Sequence, residues 1–413
     1  MSRRLVVVAA VVAALALPGR ALALDRVQSD RPDEAVGPQI HAVYAVPSDG
    51  TDNALDTNGT ISGWLAQFNA WFASQSGGVQ LRIDTFQGQP DISFIRLRET
   101  NAALTAMGSE ANRTILADMA IAGLQDPDKI YAVVVDSGNA GACGWGGGNQ
   151  VSAVFLHAVP NGVSCEGAQW QFAIGHEIFH GLGAVHPCAA HNSGDGHTTD
   201  SSDLMYAYLP SGIPSLDPGH DDYWGPPGDD HLPASCPESA NIFNSVFLTN
   251  HPFFRVSITL NGSGLVYGLG AVPCTRSSLV DDCDNVVETQ TQLDLQPKPF
   301  PGFHFVGWGG GCTGTSDCSL TVGGDTVLTA TFVADPVTRL QIKGKGRLTG
   351  SFFGSCVKAL CAVRFPYAQK SQIRAVPAKH GRFLHWSGAC RGTAPMCTIK
   401  PTSALSVVAV FAP

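Results

Sequence analysis

The stretch Trp170–His186, WQFAIGHEIFHGLGAVH, decides how the chain is read. Trp170, Phe172, Ala173, Ile174, Ile178 and Phe179 give its first part apolar surfaces at helical spacing, which predicts a helix. His176 and His180 stand four residues apart, so a helix sets them one turn apart on one face, about 6 Å along the axis. Two imidazoles so placed can grip one cation. Glu177 projects from a neighbouring direction and suits a place beside a metal-bound water better than a ligand position. Gly183 takes a positive φ without penalty, so the helix can end there and the chain can turn back. His186, three residues on, is then expected to swing under the metal, and Pro187 forbids further helix. The spacing thus predicts three imidazoles, His176, His180 and His186, one general base and one open coordination position, the donor set of a catalytic zinc.

The chain before this stretch opens as an exported protein does. A basic MSRR is followed by the apolar run LVVVAAVVAALAL and the small-x-small site Ala21–Ala23, which predicts a signal peptide over residues 1–23 with bacterial-type export. Later segments fall short of membrane-spanning length, so no transmembrane anchor is expected. The formal net charge of −9, without long like-charge runs, argues against nucleic acid or an anionic membrane as the main partner. Twelve cysteines fall into three groups of four along the chain, which in an exported protein reads as two disulfides per domain with the pairing open.

Residues 24–38 are polar and read as a loose arm. From 39 to about 250, strand patterns (IHAVYAVP, VQLRIDTF, DISFIRL, KIYAVVVDS, NQVSAVFLH) alternate with helical ones (TISGWLAQFNAWFASQ, NRTILADMAIAGLQ), the signature of an α/β sandwich with a mostly parallel sheet. Beyond 250 the chain changes character. Phe305, Trp308, Cys312 and Cys283 recur 78 residues later as Phe383, Trp386, Cys390 and Cys361. The duplication predicts two small all-β modules, 253–334 and 337–413, each stapled by disulfides and plugged by its Trp. FVGWGGGCTG and FLHWSGACRG resemble the divergent InlB B-type repeats of exported bacterial proteins, which implies a surface or matrix partner rather than a chemistry.

The central motif, HExxHxxGxxH at His176, Glu177, His180, Gly183 and His186, resembles that of the metzincins, a clan of zinc endopeptidases. The resemblance implies an α/β metzincin-like catalytic domain, a mixed twisted sheet with an active-site helix, and a zinc cofactor. It also implies a methionine turn beneath the metal, which DLMYAY (203–208) supplies with Met205. Tyr208, or Tyr206 in competition with it, takes the place of a tyrosine that in some metzincins reaches the metal or the oxyanion. The expected reaction is hydrolysis of protein or peptide substrates by a zinc-activated water, with Glu177 as base. Substrate is expected to lie along an edge strand, for which CGWGGGNQVSAVFL (143–156) is a candidate, with a plain Gly-rich turn as the default. The competing reading is an exported adhesin or binding protein whose zinc domain is inactive or structural.

Three features stay outside this scheme. In HPCAAHNSGDGHTTDSSD, His191 and His197 are read as part of a solvated loop tethered by Cys188 rather than as a second metal site. LDPGHDDYW (216–224) reads as a turn with surface acids. Latency through an arm aspartate (Asp25, Asp30 or Asp33) is conceivable.

Overall fold

The computed structural model describes residues 25–147, 150–208, 212–275 and 283–412. The expected signal segment, 1–23, lies outside the described residues. The chain divides into two compact units between His251 and Pro252.

The first unit is mixed α/β. In chain order its elements are β1 (Gln39–Val46), α1 (Thr60–Gln75), β2 (Thr85–Phe86), β3 (Gln89–Pro90), β4 (Ile92–Arg96), α2 (Asn101–Met107), α3 (Ala111–Ile121), β5 (Lys129–Val135), β6 (Gly144–Trp145), β7 (Val151–Phe155) and α4 (Trp170–Leu182). The sheet runs β4-β1-β5-β7-β6. β4, β1, β5 and β7 are parallel, and β6 closes the edge antiparallel to β7. β1, β5 and β7 are buried along their whole length, as parallel strands covered on both faces must be.

Helices α1 and α4 cover one face of the sheet. Phe68 and Phe72 of α1 meet Phe179 of α4 edge-on at ring distances of 5.6 and 5.3 Å. This approach depends on Gly175, where a Cβ would stand 1.9 Å from the Phe68 ring. On the other face Leu104 of α2 and Ala111, Ile115 and Met119 of α3 pack against Val43, Val133 and Phe155. VQLRIDTF pairs less than expected: Leu81 and Ile83 make isolated bridges and only Thr85–Phe86 extend as β2. The reason is Asp84. Its carboxylate is fully buried and accepts from His41 Nδ1–H at 2.7 Å and Lys129 Nζ at 2.8 Å, so the chain turns in rather than running on.

The arm is not loose. Val27 bridges Ser93 of β4, Arg26 pairs with Asp52 and Asp56, and Arg31 with Asp91. Asp30 and Asp33 take Lys129 Nζ at 2.5 and 2.7 Å. The charges that made this segment look solvated are complementary to charges on the sheet, where Asp30 and Asp33 both pair with Lys129.

The second unit is all-β. In its first half, two four-stranded sheets are built from strands between Phe253 and Ala334, and in its second half from strands between Val337 and Phe411. The halves repeat one another in detail. Trp308 Nε1 donates to Ser316 O at 2.9 Å and Trp386 Nε1 to Ala394 O at 2.8 Å. Both indoles are buried. The disulfides are local in this unit, Cys274–Cys283, Cys312–Cys318, Cys356–Cys361 and Cys390–Cys397. Cys143–Cys165 and Cys188–Cys236 serve the first unit. Among the described residues, no helix is long and apolar enough to cross a membrane.

Candidate metal centre

Helix α4 ends at Leu182, and Gly183 follows at φ +93°. Gly183 N–H donates to His180 O and Ala184 N–H to Phe179 O, the paired bonds that close a helix through a left-handed glycine. His176 and His180 face one another, their Nε2 atoms 3.1 Å apart. His176 Nδ1–H donates to Leu204 O at 2.7 Å, which leaves Nε2 with its lone pair free.

The third imidazole beside them is that of His197. Its Nε2 lies 3.3 Å from His180 Nε2, and donor nitrogens of all three rings stand within 4.8 Å of one another. His186 is not in this cluster. Its Nδ1 accepts from Cys188 N–H at 3.3 Å and lies 3.0 Å from Cys188 Sγ, itself bonded to Cys236. The cause is local. The chain does turn back at Gly183, but Val185 then takes φ +54°, a conformation a β-branched residue adopts only under restraint. Asn192 Nδ2 supplies it by donating to the carbonyls of Val185 and His186 at 3.0 and 3.2 Å, while Val185 itself is buried. The turn therefore delivers His186 to the disulfide.

His197 arrives on a hairpin tip. Asn192 and Thr198 form an antiparallel bridge, and Ser193 N–H donates to His197 O at 2.8 Å. Gly194 and Gly196 take φ of +98° and +87° in the tip, and a Cβ on Gly196 would stand 3.7 Å from His180 Cε1. Thr198 N–H donates to Met205 O at 3.0 Å, so the methionine turn holds the hairpin. The same turn orients His176 through Leu204 O. Met205 is fully buried in the core shared with Phe179, Tyr223 and Trp224. Behind His197, Asp195 Oδ1 stands 3.1 Å from Nδ1. His191, which the sequence grouped with His197, instead pairs with Asp222 at 3.0 Å.

Glu177 is 8% exposed and lies under the Gly-rich edge. A Cβ at Gly144 would fall 2.2 Å from Glu177 Oε1, and one at Gly146 2.4 Å from Glu177 O and 2.6 Å from His180 Cβ. Those two glycines are thus required by contact with the α4 side chains, beyond what a turn needs. Tyr208 is 72% exposed with its ring 5.6 Å from that of Tyr206. LDPGHDDYW is no surface turn: Asp217 is buried and accepts from the backbone N–H groups of Asp222, Tyr223 and Trp224, and the last two rings enter the core.

Burial holds His176 down to about 4. Burial, then the neighbouring imidazoles, push His180 to about 2. Both are therefore neutral lone-pair donors. Burial alone pushes Glu177 up to about 8. Nitrogens set tetrahedrally about 2.05 Å from one ion stand roughly 3.3 Å apart. The observed 3.1 and 3.3 Å separations fit that spacing. Three part-buried imidazoles with converging donor nitrogens, those of His176 and His180 held neutral by their surroundings, are a group that could hold a metal such as zinc.

Two family models match parts of the chain. Residues 44–218 match the model of the reprolysin-like metallo-peptidase family M12B, and residues 271–336 that of the divergent InlB B-repeat domain. The first match likens residues 44–218 to metallo-peptidases, a class that works through a bound metal, typically zinc. No curated protein matches the chain. Among solved structures, wild-type OgpA from Akkermansia muciniphila aligns in one crystal form at 11% identity, covering 93% of this chain and 98% of that one with a TM-score of 0.30. A second form gives 10%, 94%, 99% and 0.31. Catalytically inactive OgpA in complex with an O-glycopeptide substrate gives 12%, 75%, 86% and 0.30. Superpositions that loose leave this chain's chemistry to its own residues.

Proposed function

We propose that the chain is a secreted zinc endopeptidase whose metal is held by His176, His180 and His197, with Glu177 as general base. The observation that carries the reading is the convergence of three imidazole nitrogens, two from α4 and one from the 192–198 hairpin, close to the buried Glu177. His176 is oriented for the role by Leu204 O, and His197 by the Met205 turn. Zinc bound there would supply a Lewis acid and a water of lowered pKa. Glu177 takes a proton from the attacking water and passes it to the leaving amine. Its burial beneath β6 favours the protonated form, and a cation held by the neighbouring imidazoles would favour the carboxylate that the base role needs. Among the described residues β6 pairs as a strand with β7 alone, so its outer edge is the side on which an extended peptide could add, beside the Trp145 carbonyl that accepts from Asn112 Nδ2. Tyr208, exposed at the end of the methionine turn, is available to approach a bound substrate. Paired disulfides in both units support an extracellular location.

The test is casein or peptide-library hydrolysis by the purified protein. Chelation is expected to stop it and zinc to restore it. Glu177→Gln should lower turnover by about 10²–10⁴-fold with zinc content unchanged. Wild-type turnover in that variant removes Glu177 from the chemistry, and no hydrolysis of any substrate by zinc-loaded wild type favours a binding protein instead.

A further inference from the structure

The chain's charge is divided between its parts. From Val337 to Pro413 there are twelve Lys and Arg residues and not one Asp or Glu. The preceding module, 253–336, carries three basic and eight acidic residues. Yet the two share one fold, down to the buried Trp, its hydrogen bond and the disulfide that follows. The fold therefore does not require the positive charge, and twelve like charges on 77 residues work against compactness by mutual repulsion. All twelve side chains are exposed, and among the described residues no ion pair neutralises any of them. A whole-chain net charge of −9 conceals this module.

The charges stand on both outer sheet faces. Arg339 and Lys343 project from the strand Val337–Lys343, with His385 across the neighbouring strand. Arg347 and Arg374 are diagonal neighbours on the other sheet, since Thr349 pairs with Arg374 and Arg347 with Val376. A flat bilayer engages one face of such a module. Single-stranded nucleic acid asks for aromatic platforms, and no Phe, Tyr or Trp is exposed on these strands. A flexible linear chain of carboxylates or sulfates can follow the charge around both faces, and the Arg forks match such groups. Six disulfides place the protein where acidic polysaccharides occur. We propose that residues 337–413 form a docking module for a linear acidic polysaccharide, independent of the metal site.

The experiment uses the full chain and immobilised polygalacturonate (carboxylate) and dextran sulfate (sulfate), with neutral dextran, phosphatidylglycerol vesicles and duplex DNA alongside. At least one acidic polysaccharide is expected to bind at 50 mM salt. Taking the nucleic-acid coefficient for about four contacts, binding should weaken on the order of a hundredfold by 200 mM salt. The combined Arg339→Gln, Lys343→Gln, Arg347→Gln, Arg374→Gln variant should bind at least tenfold more weakly with an unchanged unfolding temperature, since all four side chains are exposed. Binding confined to one polysaccharide identifies the group read. Absence of binding to both, equal binding to neutral dextran, or tighter binding to vesicles or DNA overturns the proposal.

Discussion

Replacing His197 by Ala, and separately His186 by Ala, separates the two histidines that compete for the third ligand position. Apparent zinc affinities of four-ligand sites run to about 10–16 kcal/mol, or roughly 3 kcal/mol for each ligand. Losing one true ligand should therefore weaken zinc binding by about a hundredfold or more. His197 Nε2 is 3.3 Å from His180 Nε2, so its removal is expected to cost this amount in full. The side chain is largely enclosed, and Ala leaves room for water rather than a replacement donor. His186 Nδ1 accepts from Cys188 N–H, so that lone pair is spent on the backbone. Its removal should change zinc affinity by less than about threefold. Competition against a chromophoric chelator reads both constants without reference to catalysis, and unfolding curves report whether either variant has lost its fold. A hundredfold loss in His186→Ala beside near-wild-type binding in His197→Ala would refute the assignment and return the site to the compact motif.

Other consequences follow from the same contacts. Gly144→Ala places a methyl where Glu177 Oε1 stands, 2.2 Å away, and should depress kcat at least tenfold while zinc stoichiometry holds. Gly175→Ala drives a Cβ into the Phe68 ring and should destabilise the first unit by about 1–3 kcal/mol in a denaturant titration. Opening Cys188–Cys236 by paired Ser substitution releases a 48-residue span, which chain entropy values at about 4 kcal/mol, and should also weaken zinc binding because the hairpin bearing His197 lies within that span. Asp203 is pushed up to about 8, mainly by burial. A carboxyl that binds its proton more tightly folded than unfolded gives stability that is complete below about pH 4 and lost as pH rises to its folded value. Below about pH 6.5 the unfolded state's protonation of His176 and His180 opposes this loss, so the first unit's unfolding midpoint should fall between about pH 6.5 and 8, with Glu177 contributing in the same direction. Asp203→Asn, which keeps an acceptor for Met205 N–H and the Tyr223 hydroxyl, should flatten that fall; an unchanged slope assigns it elsewhere.

The sequence made the helix and its glycine stop legible because both are local. Periodicity located Trp170–Leu182, and Gly183 ends it for the conformational reason given in advance. Strands β1, β4, β5 and β7 were equally visible as apolar runs. Helix α2 was not, since NAALTAM is seven residues long with one large buried side chain, Leu104, and its only clear mark is the Thr100 cap. The arm and Asp84 were misread for the opposite reason: their charges find partners far away in sequence, and no local pattern announces a distant partner. Gly144 and Gly146 looked like turn residues because a glycine demanded by a neighbouring carboxylate is written no differently from one demanded by φ. The basic C-terminal module was present in the composition throughout and vanished in the average.

The proposed third ligand lies farther along the chain than the one spacing favours. Six residues separate His180 from His186 and seventeen separate it from His197, so a motif favours the nearer. What decides is how firmly each ring is held where a metal would sit. Three restraints acting from different directions converge on the farther one: the Cys188–Cys236 bond anchors the loop's base, Asn192 clamps Val185 and His186, and Thr198 bonds to Met205. The second and third act through residues that also matter to the other ligands, since Leu204 beside Met205 holds His176 and the Asn192 clamp turns His186 away. A loop so tied can present its imidazole with little entropy left to lose on metal binding, which offsets the longer chain closure. The methionine turn then acts as a backbone bracket as much as an apolar floor, because its two carbonyls set two of the three imidazoles. On that account, substitutions of Met205 that keep its volume and backbone should spare zinc affinity, while those that move the Leu204–Met205 peptide should weaken it even with every histidine in place.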